Sequence, residues 1–415
     1  MRQSLWFGSL LVTISGSLVA CVGAPEEDSP VPRAITVAPA RGTEADLSFS
    51  PRGPRQAAEG ESARPADVGY PAPHPSMPQI PNHGGEVLHD PVIVSITFPG
   101  DPLAEKIAAF GEEVGALRWW STVNGPYGVG PARSGGHVVA PKAPPAQIAD
   151  AEVEQWIADR IADATLPAPT DQTLYTLYYP ASTTVTLEDG GGSAASCQQF
   201  LGYHSAFSVD SGGSSKLVAY AVVNRCGDLD QVTETASHEF TEAATDPHPI
   251  NVQSLGYMLL TSNAWTLLGG ENADMCAGVS SVRENGWNLT RSWVNQNAAI
   301  GQQPCLPAED NGVPYFNAGI ADDTMATEAG ATVKTEVSCY SFGPLPRPME
   351  LSVQAYGKSG LRFALDQKTC RNGDKLTMSI SVPKEAKRGS DYHYMLVSRI
   401  DANTGHFWRG VVHVR

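Results

Sequence analysis

The sequence predicts an α+β domain followed by an all-β sandwich. Three observations carry this: strand and helix patterns alternate from residue 91 to about 310; short strands follow one another from about Pro314; and a single helix, Ser237 to Pro247, gathers chemically useful residues at helical spacing.

Residues 1–21 read as a targeting segment. Met1-Arg2 gives a positive end, Leu5 to Val19 an apolar run, and Leu18-Val19-Ala20-Cys21 a small residue before cysteine. The run is shorter than the ~20 residues a spanning helix needs. It resembles a bacterial lipoprotein signal, which implies lipid attachment at Cys21, export and, with Val22 following, outer-membrane sorting. Residues 22–90 are rich in Pro, Ala, Glu, Gly and Ser with few large apolar side chains, so they are expected to form a disordered tether.

Residues 91–310 form the predicted α+β domain. Pro91 to Phe98 reads as a buried strand, and Leu103, Ile107, Phe110 and Val114 mark a helix over about 102–117. Ile148, Val153, Trp156, Ile157 and Ile161 mark a second, over about 146–164. Strands follow at Thr173–Tyr179 and Leu217–Val223, separated by a glycine turn at 190–192. The next helix starts near Asp230 as N-cap and stops at Asp246, because Pro247 disfavours helical geometry before it.

On that helix Ala236, Phe240, Ala243 and Ala244 share one side, while His238, Glu239, Glu242 and Asp246 share another. His238 and Glu242, at i and i+4, can share a metal ion, and Glu239 sits where a metal-bound water would lie. The motif is H-E-x-x-E, with Glu242 where zinc hydrolases usually have histidine. The other reading of the helix is a solvated acidic face. Strand, cysteine turn and helix arrive in the order of a zincin-like domain. The third ligand is expected downstream at Glu271, with Asp274 and His248 as rivals. His204, alone beside aromatic residues, reads as structural.

From about Pro314, strand patterns at 331–337, 349–353, 361–365, 376–382, 392–397 and 411–414 are separated mostly by Gly or Pro. This pace predicts an immunoglobulin-like sandwich over residues 311–415, in a supporting or binding role.

Of seven cysteines, six remain if Cys21 carries lipid, an even number that suggests disulfides in an exported chain. Sequential pairing, Cys197–Cys226, Cys276–Cys305 and Cys339–Cys370, is the economical choice among 15; a thiolate metal site lacks any C-x-x-C spacing. With 44 acidic against 28 basic residues and a net charge of −16, the surface argues against nucleic acid or anionic lipid as partner.

Gly202-Tyr203-His204-Ser205, Val223-Asn224-Arg225-Cys226, Ser237-His238-Glu239 through Thr245-Asp246-Pro247, and Glu271 to Cys276 together resemble the bacterial relatives of the phosphate-induced, EXORDIUM-like proteins of plants. The resemblance covers about Val92 to Leu306 and speaks for the fold, since the plant members do not keep the histidine and glutamate of this helix. The H-E-x-x-E helix with its later acids is similar to bacterial metallopeptidases. The expected chemistry is zinc-dependent hydrolysis, of peptides by preference, with His238, Glu242 and Glu271 on the metal and Glu239 as base. The alternative is a non-catalytic surface lipoprotein with a structural ion or none, binding an extracellular partner. Metal content separates them.

Overall fold

Strand β1 (Val92–Thr97) is buried at every position, and so is β4 (Thr173–Tyr179), because helices cover both faces of the sheet they share. The computed structural model describes residues 68–189, 192–211, 214–250, 255–260, 270–308, 313–357, 359–401 and 404–415, and together they make a β-rich α+β fold. Cys21 and the rest of 1–67 lie outside the described residues.

After β1 come α1 (Ala104–Glu113), α2 (Arg118–Asn124), β2 (Arg133–Val139), β3 (Gln147–Ala149) and α3 (Asp150–Ala162). After β4 follow β5 (Thr184–Asp189), β6 (Gly192–Ala195), β7 (Gly202–Ser211), β8 (Ser214–Asn224) and α4 (Leu229–Thr245). The main sheet has the order β2-β1-β4-β8-β7, parallel except for β7, which runs antiparallel to β8 at the edge; β3, β5 and β6 form a small second sheet.

Alternation along the strands splits the core. Val94, Ile96, Tyr175, Leu177, Tyr220 and Val222 pack with Val153 and Ile157 of α3. Ile93, Leu174, Tyr178, Ala219, Ala221 and Val223 pack with α1, α2 and α4. The apolar side of α4 docks as its sequence predicts, with Ala236, Phe240, Ala243 and Ala244 all buried and Phe240 stacked on Phe110 at 6.1 Å between centroids. Phe240→Ala would cost about 3–5 kcal/mol.

Helix α4 begins two residues earlier than expected. Asp228, not Asp230, is the N-cap, its carboxylate accepting the Gln231 N–H at 3.2 Å. The predicted solvated acidic face is not solvated: His238, Glu239 and Glu242 are buried. Strand β7 covers them on one side and residues 271–293 on another. There β9 (Val282–Glu284) and β10 (Trp287–Leu289) make a hairpin whose Asn285-Gly286 turn is left-handed at both residues, as two-residue hairpins require. The Ser237 hydroxyl accepts the Thr290 N–H at 2.8 Å and Glu234 accepts from the Asn288 amide at 2.8 Å, tying the hairpin to the helix. Strand β11 (Ser292–Trp293), α5 (Asn295–Ala299) and β12 (Cys305–Leu306) complete this part.

The C-terminal part holds β13 (Phe316–Ile320), β14 (Thr324–Thr327), β15 (Thr332–Ser341), β16 (Met349–Ala355), β17 (Arg362–Leu365), β18 (Thr369–Cys370), β19 (Lys375–Ser381), β20 (Asp391–Arg399) and β21 (Gly405–Val414). They form two sheets, β13-β15-β19-β17 and β14-β21-β20-β16-β18, around one core that includes Phe316, Tyr340, Met378, Ile380, Tyr394, Leu396 and Trp408.

All three disulfides pair sequentially, as expected: Cys197–Cys226, Cys276–Cys305 and Cys339–Cys370. Three disulfides mark a chain that folds in an oxidising, extracytoplasmic compartment.

Residues 68–90 depart from the expected tether. Ala72, Met77 and Ile80 are buried in the core of the C-terminal part, and His74 stacks on Tyr340 at 4.3 Å. Asn295 holds Ile80 at both N–H and C=O (2.9 and 2.7 Å), and the Leu88 N–H donates to Ala244 at 2.9 Å. The segment is a strap across both parts. Its few apolar residues are buried in the C-terminal core, and its prolines lower the entropy of ordering it, neither of which composition reveals.

Candidate metal centre

Six buried ionisable side chains converge beside α4. The helix supplies His238, Glu239 and Glu242; β7 supplies His204; and the loop that ends in a short turn at Asp274–Cys276 supplies Glu271 and Asp274. None is more than 6 % exposed. The Cys276–Cys305 disulfide fastens the acidic loop to β12, and Cys197–Cys226 joins the residues before β7 to the turn before α4. Each cross-link thus closes onto an element that delivers a donor.

Gly202 sets the distance between strand and helix. A Cβ there would lie 2.7 Å from Thr235 Cγ2, 2.9 Å from Glu239 Oε1 and 2.9 Å from the Val222 carbonyl. Only glycine lets β7 approach α4 this closely, and two residues on, on the same face of the strand, is His204.

His238 Nε2 lies 2.9 Å from Glu242 Oε1 and 3.4 Å from Asp274 Oδ1, and Glu242 Oε1 also accepts the Asp274 N–H at 3.2 Å. His204 Nδ1 lies 3.7 Å from both Glu239 Oε2 and Glu242 Oε2, while its Nε2 lies 3.4 Å from Glu271 Oε1. Neither nitrogen of His204 nor either oxygen of Glu271 makes a hydrogen bond of good geometry among the described residues. The donor atoms of His238, Glu242 and Asp274 lie within 4.8 Å of one another, as do those of His204, Glu239 and Glu242.

The electrostatics are those of a charge cluster short of a cation. Burial alone would lower the histidines, yet Glu271, Glu239 and Glu242 hold His204 well above its ordinary value, and Glu242, Asp274 and Glu239 do the same for His238. Burial and the neighbouring Asp274 push Glu242 far up against the pull of His238, and burial raises Glu271 to about 7 against His204. Asp246, the helix C-cap, is raised by burial to about 6. A divalent cation would compete with protons for a site where carboxylates outnumber imidazoles.

The residues fit a metal ion. A tetrahedral ion with bonds of ~2.1 Å holds its ligand atoms ~3.4 Å apart. That edge length matches the 3.4 and 3.7 Å separations, which are long for hydrogen bonds between buried ionised groups. Imidazole among carboxylates suits zinc and its neighbours better than calcium or magnesium.

The sequence-derived site is therefore gathered in one place with two changes of position. His238 and Glu242 are together as expected, but the acid in contact with His238 is Asp274, whereas Glu271 faces His204. Glu239 is directed to His204 as well. His248 pairs with the exposed Glu86 at 3.5 Å and is not among the donors gathered beside α4. His204 carries no spacing signal as a lone histidine; a polar residue between Tyr203 and Ala206 on a strand beside a metal-type helix is the available clue.

No protein-family model matches the chain, and no curated protein does. Among solved structures, domains 4 and 5 of the S-layer protein SbsC align over 24% of this chain and 53% of that one at 8% identity and a TM-score of 0.19. A nucleoside hydrolase-related hypothetical protein from Saccharophagus degradans aligns over 25% of each chain at 19% identity and 0.18. The VesB protease of Vibrio cholerae aligns over 32% of this chain and 39% of that one, at 12% and 0.17. At these scores none bears on fold or function.

Proposed function

We propose that the chain is an extracytoplasmic metal-dependent hydrolase, a zinc peptidase by preference, whose ion is held by His238, Glu242 and Asp274. The observation that carries this is the buried set of two imidazoles and four carboxylates at coordination-edge distances around a helix of H-E-x-x-E pattern. The topology supports a zincin-like reading: α4 follows a parallel strand, and the sheet edge beside it is the antiparallel β7. In the C-terminal part β14 pairs parallel with the last strand, β21, which supports the immunoglobulin-like reading. Lipidation at Cys21 would hold the body at the outer membrane or cell surface.

When bound, the ion would lower the pKa of a coordinated water and polarise a substrate carbonyl. His238, the most exposed of the six, is where the cluster reaches solvent. The Asp274 N–H fixes the orientation of Glu242, and apolar α4 contacts keep its i and i+4 donors aligned. The sequence spacing gives Glu239 the role of proton acceptor; its contact with His204 offers it a ligand role instead, and the choice depends on whether an ion sits beside His204.

The near-complete burial favours a second reading, a structural ion in a surface binding protein. The two separate on one experiment. The purified full chain is assayed for zinc content and for hydrolysis of a mixed peptide library, with and without chelator. Bound zinc with chelator-sensitive cleavage supports the hydrolase; bound metal without cleavage supports the structural ion.

A further inference from the structure

We propose that the centre is dinuclear, with a second metal ion held by His204 Nδ1, Glu239 and Glu242, and with Glu242 bridging the two ions. This rests on the reading that His238, Glu242 and Asp274 hold the first. The two oxygens of Glu242 face different donor sets: Oε1 lies 2.9 Å from His238 Nε2, and Oε2 lies 3.7 Å from His204 Nδ1. A bridging carboxylate has this disposition. Oε2 thus faces an imidazole nitrogen that makes no hydrogen bond of good geometry, on the side away from His238.

His204 is the independent observation. It is fully buried, neither of its nitrogens makes a hydrogen bond of good geometry, and Nδ1 lies equally far from two carboxylate oxygens, at the edge length of a coordination sphere. On its other side Nε2 faces Glu271 at 3.4 Å. Metal-binding imidazoles commonly give their second N–H to a carboxylate, which fixes the tautomer and the ring plane. Glu271, 3.4 Å from Nε2, is placed to accept that N–H once Nδ1 is ligated, as a positioning residue for His204. Glu239 then serves as a ligand, and a water between two ions needs no separate carboxylate to acidify it.

The test counts ions. The metal-free full chain is titrated with zinc, and bound zinc per chain is measured by elemental analysis after removal of excess. The manganese-loaded chain is then examined by electron paramagnetic resonance for exchange coupling between ions. The expected result is two ions per chain with a coupled manganese spectrum. His204→Ala and Glu239→Gln should each fall to about one ion, and Glu271→Gln should weaken the second site about 10–100-fold while keeping the first. Circular dichroism shows whether each variant is folded, and the wild-type count stands whether or not they are. A single ion, unaffected by His204→Ala, overturns the second site and leaves the hydrolase reading intact. No ion at all overturns both.

Discussion

Gly202→Ala tests whether the approach of β7 to α4 builds the site. The new methyl would sit 2.9 Å from the Val222 carbonyl, where carbon contacts normally begin near 3.5 Å, so roughly 0.6 Å must open. Val222 is backbone of β8, and Gly202 is itself held in register opposite Val223, so no side-chain rotation relieves the clash. Overpacking of this kind costs about 1–3 kcal/mol, which for a domain of this size lowers the melting temperature by about 2–12 °C. The second clash, 2.9 Å from Glu239 Oε1, is relieved only by swinging that carboxylate, which alters its contact with His204. Differential scanning calorimetry with and without zinc should therefore show two losses: a lower melting temperature for the metal-free chain and a smaller gain on adding zinc. Gly125→Ala, with a helical φ of −54° and nothing within 4 Å of the new methyl, should stay within about 0.5 kcal/mol of wild type. A Gly202→Ala chain that melts within 1 °C of wild type and keeps its full zinc response refutes the reasoning.

Three further outcomes follow from the same structure. Each disulfide closes a loop of about 30 residues, so replacing either pair near the centre by Ala should cost about 3–4 kcal/mol, and titration of the denatured, unreduced body should find no free thiol among the six. Asp150, on the opposite face of the sheet from the metal cluster, accepts hydrogen bonds from Tyr203 and Tyr220 (the latter at 2.7 Å), and burial raises it from 3.8 to about 6. A raised acid contributes stability that is full below its unfolded value and lost as pH rises through 6. The pH 4–8 slope of urea stability should therefore flatten by about 3 kcal/mol in Asp150→Asn; an unchanged slope would mean that Asp150 is not buried as described. Limited proteolysis should leave residues 68–90 attached to the body, because the strap is packed; mass spectrometry of the digested chain reads the boundary.

Much of the fold is legible in the sequence. The long apolar strands, the docking side of α4, its stop before Pro247 and the disulfide pairing were readable because each depends on local spacing or on sequence distance. Residues that act only through tertiary placement were not. Strand β7 mixes Gly202, His204, Ser205 and Ser208 with aromatics, so no clean alternation announces it, and its histidine gains meaning only opposite α4. The choice between Glu271 and Asp274 turns on a short turn whose geometry the two intervening residues, Asn272 and Ala273, do not specify. Strands β13 and β14 went unread because Gly319 and a run of short polar residues dilute their pattern. The strap was hidden by its prolines, which signal disorder unless pockets exist to receive the apolar residues among them.

The central claim is that the buried cluster is a site for a divalent metal, and thermal unfolding of the full chain with zinc or with chelator tests it most directly. Zinc at a hundred times its dissociation constant should add about 2.7 kcal/mol, a rise of about 5–10 °C, and His238→Ala should lose most of it. A wild-type chain whose melting temperature is the same in zinc and in chelator, and which retains no metal, contradicts the account.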